Sequence, residues 1–113
     1  MTEQALLILA SLVTGELHGY GIASDVEALS GGRVKLAAGT LYGVLNRLAA
    51  DGLISQTREE VVGGRRRRYY ELSGSGQSVL AQEAARLSSM ADAVSARVAA
   101  TARSGRSPSP RPA

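Results

Sequence analysis

The chain has 113 residues, 44% of them apolar, and a formal charge of +3. This length predicts one domain with a modest hydrophobic core. The absence of cysteine excludes disulfides, thiolate zinc sites and cysteine nucleophiles, and a histidine-based metal site or catalytic triad would have to form around the single histidine, His18. We therefore expect no metal, no cofactor and no enzymatic activity.

The first predicted element is a helix in TEQALLILASLVTG, which is apolar on nearly every side of a helical wheel and has a natural end at Gly15. Its apolar run is far shorter than a membrane span and lacks a preceding base and a signal-type cleavage site, so we expect a soluble cytoplasmic protein without a membrane partner. A second helix lies in HGYGIASDVEALSGG, where Ile22, Val26 and Leu29 recur at spacings of four and three.

A third helix is predicted in AGTLYGVLNRLAADG, with Gly52 as its left-handed end. Apolar residues form one stripe along this helix and polar residues occupy the other face. The stripe comprises Leu41, Val44, Leu45 and Leu48, and the opposite face offers Thr40, Tyr42, Asn46 and Arg47.

Two extended runs, LISQTREE and RRRYYEL, follow between residues 53 and 72. They are joined at Gly63 and Gly64, which predicts a β-hairpin with a flexible tip. Ile54, Tyr70 and Leu72 are expected to face inward, which leaves most of the arginines of the hairpin outside.

Positive charge is concentrated in this middle part of the chain. Residues 1–32 carry four acids and neither lysine nor arginine, whereas residues 33–70 carry eight bases and three acids, four of the bases being the consecutive Arg65–Arg68. Adjacent guanidinium groups repel one another, so the run either stays solvated or meets an anionic partner. A localised basic patch of this kind is the footprint expected of a nucleic-acid binder.

The last predicted element is a helix of about 25 residues that begins after Ser73, its expected N-cap, and ends near Ala100. Its apolar positions alternate spacings of four and three, the seam pattern of a coiled coil. A lone monomer leaves this stripe exposed, so we expect a two-fold dimer, the alternative being a helix folded back on its own domain. The segment 102–113 is rich in Pro, Ser and Arg and is interpreted as a disordered basic tail.

This order of elements predicts a mainly α fold with a small β-hairpin: a winged helix-turn-helix domain over residues 1–73, a C-terminal dimerisation helix over residues 74–101 and the tail. In a winged helix-turn-helix domain the third helix lies in the DNA major groove and the hairpin, the wing, flanks it against the phosphate backbone. The arginines would then contact phosphates.

Three segments carry a resemblance to a known family. LHGYGIASDVE resembles the HGY segment of PadR-type regulators, KLAAGTLYGVLNRLAADGLI resembles their recognition segment, and GGRRRRYYELSGSG resembles their wing. The resemblance covers about residues 5 to 80 and implies a bacterial transcriptional regulator, usually a repressor. It also implies a homodimer on a pseudo-palindromic operator, with the C-terminal helix against the partner's first helix.

The sequence departs from the family pattern in the third helix. Ala37 and Ala38 replace the usual Ser and Pro, which removes a capping hydroxyl and a preorganised first helical position. Gly43 replaces a proline and costs up to about 1 kcal/mol relative to Ala. We expect a less rigid recognition helix whose start is ordered by DNA.

The motifs and the resemblance together define the expected site residues. Two roles stay open for His18 and Tyr20: they are the cap and a packing residue of the second helix, or they contact phosphate. Two roles also stay open for Asn46 and Arg47, which either read base edges or only adjust the electrostatic field. The expected contacts to double-stranded DNA are His18, Tyr20, Lys35, Gly39, Thr40, Tyr42, Asn46, Arg47, Arg65, Arg66, Arg67, Arg68 and Tyr69. The expected dimer contacts are Leu6, Leu9, Leu80, Ala84, Leu87, Met90, Ala91, Val94 and Val98.

Two further alternatives stay open at this level. The chain is either a dimeric DNA-binding repressor or a winged-helix interaction module whose basic wing binds an acidic partner. Any small-molecule effector is unknown. The chain has no Trp or Phe, and its four tyrosines lie in the DNA-binding motifs, so two aromatic rings cannot enclose an effector on the dimer helices. Any effector must therefore be held by aliphatic surface and polar groups such as Gln82, Ser88 or Asp92, or there is none.

Overall fold

The structure is a computed structural model and describes residues 1–103. This part of the chain contains four helices and a three-stranded antiparallel sheet of order β1-β3-β2. The elements are α1 (Glu3–Ser11), β1 (Leu17–His18), α2 (Gly19–Leu29), α3 (Ala38–Ala50), β2 (Ile54–Val62), β3 (Arg65–Leu72) and α4 (Gly74–Arg103). The winged helix-turn-helix fold predicted from the sequence is confirmed.

The core lies where α1, α2 and α3 meet the base of the sheet. Burial follows the predicted stripes, except that Val44 is only half-buried and Leu29 is exposed. The predicted inward positions of the hairpin are also confirmed, since Ile54 and Tyr70 are buried and Leu72 packs against the core. The buried apolar residues are Ala5, Ile8, Leu9, Leu12, Ile22, Val26, Leu41, Leu45, Leu48, Ile54 and Tyr70.

The helix termini follow the local sequence. Thr2 caps α1 and His18 caps α2 through side-chain acceptors, whereas Ala37, at the N-cap of α3, makes no side-chain cap bond. The predicted end of α3 is confirmed by Gly52, whose φ of 74° is left-handed. Helix α1 ends at Ser11, before the predicted end at Gly15. The amides of Leu12 and Val13 donate to the carbonyls of Leu9 and Ala10, three residues back instead of the four of an α-helix.

The sheet is built on the β2–β3 hairpin. Gly63 and Gly64 both have positive φ, the pattern of the two-residue hairpin turns whose twist suits the strands. β1 adds a third strand beside β3, pairing Leu17 with Tyr70 and His18 with Tyr69. We did not predict β1, because two residues are too short to show an alternating pattern.

Helix α4 begins where the sequence indicated and is longer than expected. The Ser73 hydroxyl accepts from the Gly76 amide at 3.0 Å and donates to the Gly52 carbonyl at 2.6 Å, which confirms the N-cap. The helix runs for 30 residues, to Arg103. The first compact unit extends through Glu83, so it includes the start of α4 as well as the predicted domain of residues 1–73, and a second unit begins at Ala84. Most of the predicted tail, from residue 104 onward, lies outside the described residues.

Candidate nucleic-acid interface

A groove of about 380 Å³ lies between the start of α2, one side of α3 and the strand β3. Three of the predicted segments meet there, although they are far apart in the sequence. The lining residues are His18, Gly19, Tyr20, Tyr42, Arg65, Arg66 and Arg67. The groove therefore combines a helix N-terminus, two tyrosines and three guanidinium groups, a set suited to an anionic ligand such as a phosphate.

The start of α2 forms one wall of the groove. His18 Nδ1 accepts from the Gly21 amide at 3.1 Å, so the predicted capping role of His18 is confirmed. Tyr20 is 80% exposed and so does not belong to the core, and its ring is stacked beside the ring of His18 at 6.3 Å between centroids. Gly19 is buried, and a Cβ there would lie 2.6 Å from the Tyr42 hydroxyl oxygen. Tyr42 can therefore rest against α2 only because residue 19 has no side chain.

Helix α3 presents its predicted polar face to solvent. Thr40, Tyr42 and Asn46 are exposed, while the stripe on the other side is turned to the core. Of the four predicted polar residues of α3, only Tyr42 lines the groove. Arg47 lines a separate cavity of about 350 Å³ with residues of α1 and with Asp51.

The remaining predicted contacts before the wing lie outside the groove as well. Lys35 is exposed, with its Nζ 3.9 Å from a Glu27 carboxylate oxygen. Gly39 is exposed in the first turn of α3, and no atom lies within 4 Å of the position of a Cβ there. As DNA contacts, these two positions and Arg47 stay predictions, like all the other expected contacts.

The four arginines of the wing are not equivalent. Arg68 pairs with Glu59, with Nε 3.4 Å from the carboxylate oxygen, and it lines a small cleft with Arg66 and Tyr42. Arg65 and Arg66 form no ion pair with any residue among 1–103, so their guanidinium groups are available to a ligand.

Arg58 of β2 lies in the same hairpin, and the sequence-based prediction of site residues did not include it. Its Nε lies 2.8 Å from Glu16, its Nη1 lies 3.0 Å from Glu60, and its guanidinium carbon lies 3.9 Å from the ring centroid of Tyr69. Hydrogen bonds from Thr57 and then Arg58 hold the pKa of Glu16 below its ordinary value. The sequence carries a signal only for the pairs across the hairpin, because Glu59 and Glu60 lie opposite Arg68 and Arg67.

The carboxylate of Glu60 stays ionised more readily than a free carboxylate. A hydrogen bond from the Tyr69 hydroxyl, followed by one from Arg58, lowers the pKa of Glu60. Tyr69 is half-buried, and its ring also meets the ring of His18 edge-on at 5.3 Å between centroids. Tyr69, expected as a DNA contact, is thus held within a network of protein contacts at the base of the hairpin.

The model of the Transcriptional regulator PadR-like family matches residues 8–82. The chain belongs to this family. The match covers the described groove, the wing and the first part of α4, and it confirms the family resemblance stated from the sequence.

Two curated proteins are similar to this PadR-like chain. An uncharacterized 37.1 kDa protein of transposon TN4556 from Streptomyces fradiae is 39% identical over 82 residues, which make up 73% of this chain. This chain spans only 22% of the length of that relative. The transcriptional regulator Rv3488 of Mycobacterium tuberculosis is 35% identical over 86 residues, which make up 76% of this chain and 77% of that protein.

Solved structures of PadR-like proteins share the fold. A PadR family transcription regulator from Clostridium difficile superposes with a TM-score of 0.72 at 24% identity, covering 86% of this chain and 99% of that chain. Bacillus subtilis PadR, solved in complex with operator DNA, has a TM-score of 0.60 at 29% identity, covering 69% of this chain and 44% of that chain.

Residues 1–103 contain neither a membrane-spanning helix nor a candidate metal cluster. None of the helices in that range has the length and apolar character needed to cross a membrane. Within the same range, no three His, Cys, Asp or Glu side chains are grouped so that they could hold a metal ion.

Proposed function

We propose that this PadR-like regulator binds double-stranded DNA sequence-specifically as a homodimer and represses transcription from a pseudo-palindromic operator in the bacterial cytoplasm. Helix α3 enters the major groove, and the β2–β3 hairpin lies along the phosphate backbone. DNA is the bound molecule in the related Bacillus subtilis complex.

The groove beside α3 is the observation that carries this proposal. It places the exposed Tyr20 and Tyr42 next to Arg65 and Arg66, whose charges no described residue neutralises. Unpaired guanidinium groups beside an exposed helix face match a duplex, in which phosphates border the base edges of the major groove. Thr40, Tyr42 and Asn46 then meet bases or the adjacent backbone, while the wing arginines supply affinity without sequence preference.

The homodimer is proposed from the outer part of α4. Leu87 is half-buried there, whereas Met90, Val94 and Val98 are 51%, 58% and 64% exposed. An apolar stripe this exposed favours burial against a second copy. In α1, Leu6 is half-buried and keeps surface for such a contact, whereas Leu9 is 0% exposed and is a core residue of its own protomer.

Selection from random duplex DNA tests the proposal. A dimer whose two recognition helices read successive major grooves, about 34 Å apart, should enrich an inverted repeat with that spacing. Recovery of no preferred sequence, together with binding to acidic proteins, would replace it with the interaction-module alternative.

A further inference from the structure

The outer part of the β2–β3 hairpin has little tertiary support. Every residue from Ser55 to Arg68 is exposed except Glu60, which is half-buried, and burial begins only at Tyr69 and Tyr70. An isolated two-stranded hairpin is marginally stable in water. The direction in which the wing projects relative to α3 must therefore be set by contacts at its base.

One carboxylate makes such a contact across the whole sheet. Glu16 directly precedes β1, and its two oxygens accept from Thr57 Oγ1 at 2.6 Å and from Arg58 Nε at 2.8 Å. β1 and β2 lie on opposite sides of β3. Glu16 thus ties the chain entering α2 to the far strand of the hairpin.

A β-bulge makes the double contact feasible. Gln56 pairs with Tyr70 and Arg58 pairs with Tyr69, so Thr57 is the extra residue of β2. Neighbouring residues of a regular strand point to opposite faces, but a bulge re-aims one of them. Thr57 and Arg58 can therefore both reach Glu16.

Arg58 is committed to the protein rather than to a ligand. Its Nε donates to Glu16 and its Nη1 donates to Glu60, while its guanidinium lies over the Tyr69 ring. That ring in turn contacts His18, which caps α2. The chain of contacts leads from the hairpin to the α2 wall of the groove.

We propose that Glu16 is a positioning residue that sets the direction of the wing relative to α3 through Thr57 and Arg58. The inference rests on the proposed DNA binding, and it predicts that an acidic residue strengthens the binding of an anion. Removing a negative charge near the wing strengthens DNA binding if only the electrostatic field matters. Loss of the wing's positioning weakens DNA binding instead. Whether the substitution strengthens or weakens binding therefore distinguishes a positioning role from a purely electrostatic one.

The experiment compares Glu16→Gln with Glu71→Gln, which makes the same charge change on β3 at an exposed residue without an ion pair to any of residues 1–103. The probes are the duplex recovered by selection and a random duplex of equal length. Glu16→Gln should weaken binding of the selected duplex on the order of threefold or more, with an unchanged salt slope. Glu71→Gln should bind as tightly as the parent or more tightly.

Arg58→Lys and Thr57→Val test the same assignment without changing the net charge. Lysine cannot reproduce the planar fork that joins two carboxylates, and valine removes the hydroxyl that donates to Glu16. Both variants should weaken binding with the salt slope retained. If Arg58 instead contacts a phosphate directly, Arg58→Met should lower the slope by about 0.9, and that result would overturn the inference.

Amide hydrogen exchange over residues 61–68 tests positioning without DNA. Glu16→Gln should raise exchange there, relative to Glu71→Gln, while the core helices keep their protection. Equal exchange in the two variants, or binding by Glu16→Gln as tight as that of Glu71→Gln, would contradict the proposal. Failure of the parent protein to select any duplex would count against DNA binding, whereas the exchange result judges Glu16 by itself.

Discussion

Replacing Gly76 with Ala should strongly destabilise the fold, although Ala is the better helix former. A Cβ at this position would overlap the Leu53 carbonyl oxygen and would lie 2.8 Å from Leu72 Cδ1. The closest atom belongs to the backbone, so the first turn of α4 or the start of β2 must move. Such overpacking costs about 1–3 kcal/mol, and displacement of the first turn of α4 would cost about 1 kcal/mol more by breaking the Ser73 cap.

The control is the same substitution two residues earlier. A Cβ at Gly74 meets nothing within 4 Å and Gly74 does not have a positive φ, so Gly74→Ala should be neutral or slightly stabilising. We expect the free energy of unfolding of Gly76→Ala to fall by about 2–4 kcal/mol, measured by urea denaturation with far-ultraviolet circular dichroism. A difference between the two variants below about 0.5 kcal/mol, the usual range of surface substitutions, would refute the packing argument.

Four further perturbations test the site, the assembly and the charges. Gly19→Ala should displace Tyr42 and reduce discrimination between selected and random DNA, with nearly unchanged thermal stability; retained discrimination would remove the Tyr42 contact from the site. Replacing Arg66–Arg68 with Ala should weaken binding to all duplexes by similar factors and flatten the salt slope, and an unchanged slope would count against wing contacts to phosphate. Leu87→Asp should yield a monomer or an unfolded chain in analytical ultracentrifugation and lose operator binding, so a dimer of normal mass would place the seam elsewhere. The hydrogen bond from Arg33 lowers the pKa of Glu3 in the folded state, so its stabilising effect is present above the unfolded pKa of about 4.3 and is lost as pH falls through the folded pKa. The acid-induced loss of stability should therefore be smaller for Glu3→Gln, and an equal loss would argue against the pair.

Local patterns were sufficient to predict the helices and the hairpin. Glycines with left-handed φ end α2 and α3 and form the hairpin turn, and helical spacing identified most of the buried stripes. These features depend on residues within a few positions of one another, which is why one sequence shows them. The family motifs then added the expected role of each element.

The contacts within the site could not be predicted from the sequence pattern alone. The sequence singled out His18, Tyr42 and the arginine run, yet it did not indicate that Gly19 accommodates the Tyr42 ring. It also left Arg58 out of the site, because Arg58 is separated by 42 residues from Glu16. A contact between residues so far apart in the chain does not produce a periodic pattern in the sequence.

The sequence by itself therefore determined the order of the helices and of the two hairpin strands, the concentration of positive charge and the apolar stripe of α4, because periodicity, turn residues and charge are local properties. Tertiary structure alone decided which cations are free to bind. It paired Arg68 with Glu59 and Arg58 with Glu16, and it left Arg65 and Arg66 without a partner among residues 1–103. The physical reason is that ion pairs depend on distances of a few ångströms between strands, which the register and the bulge fix only once the sheet has formed.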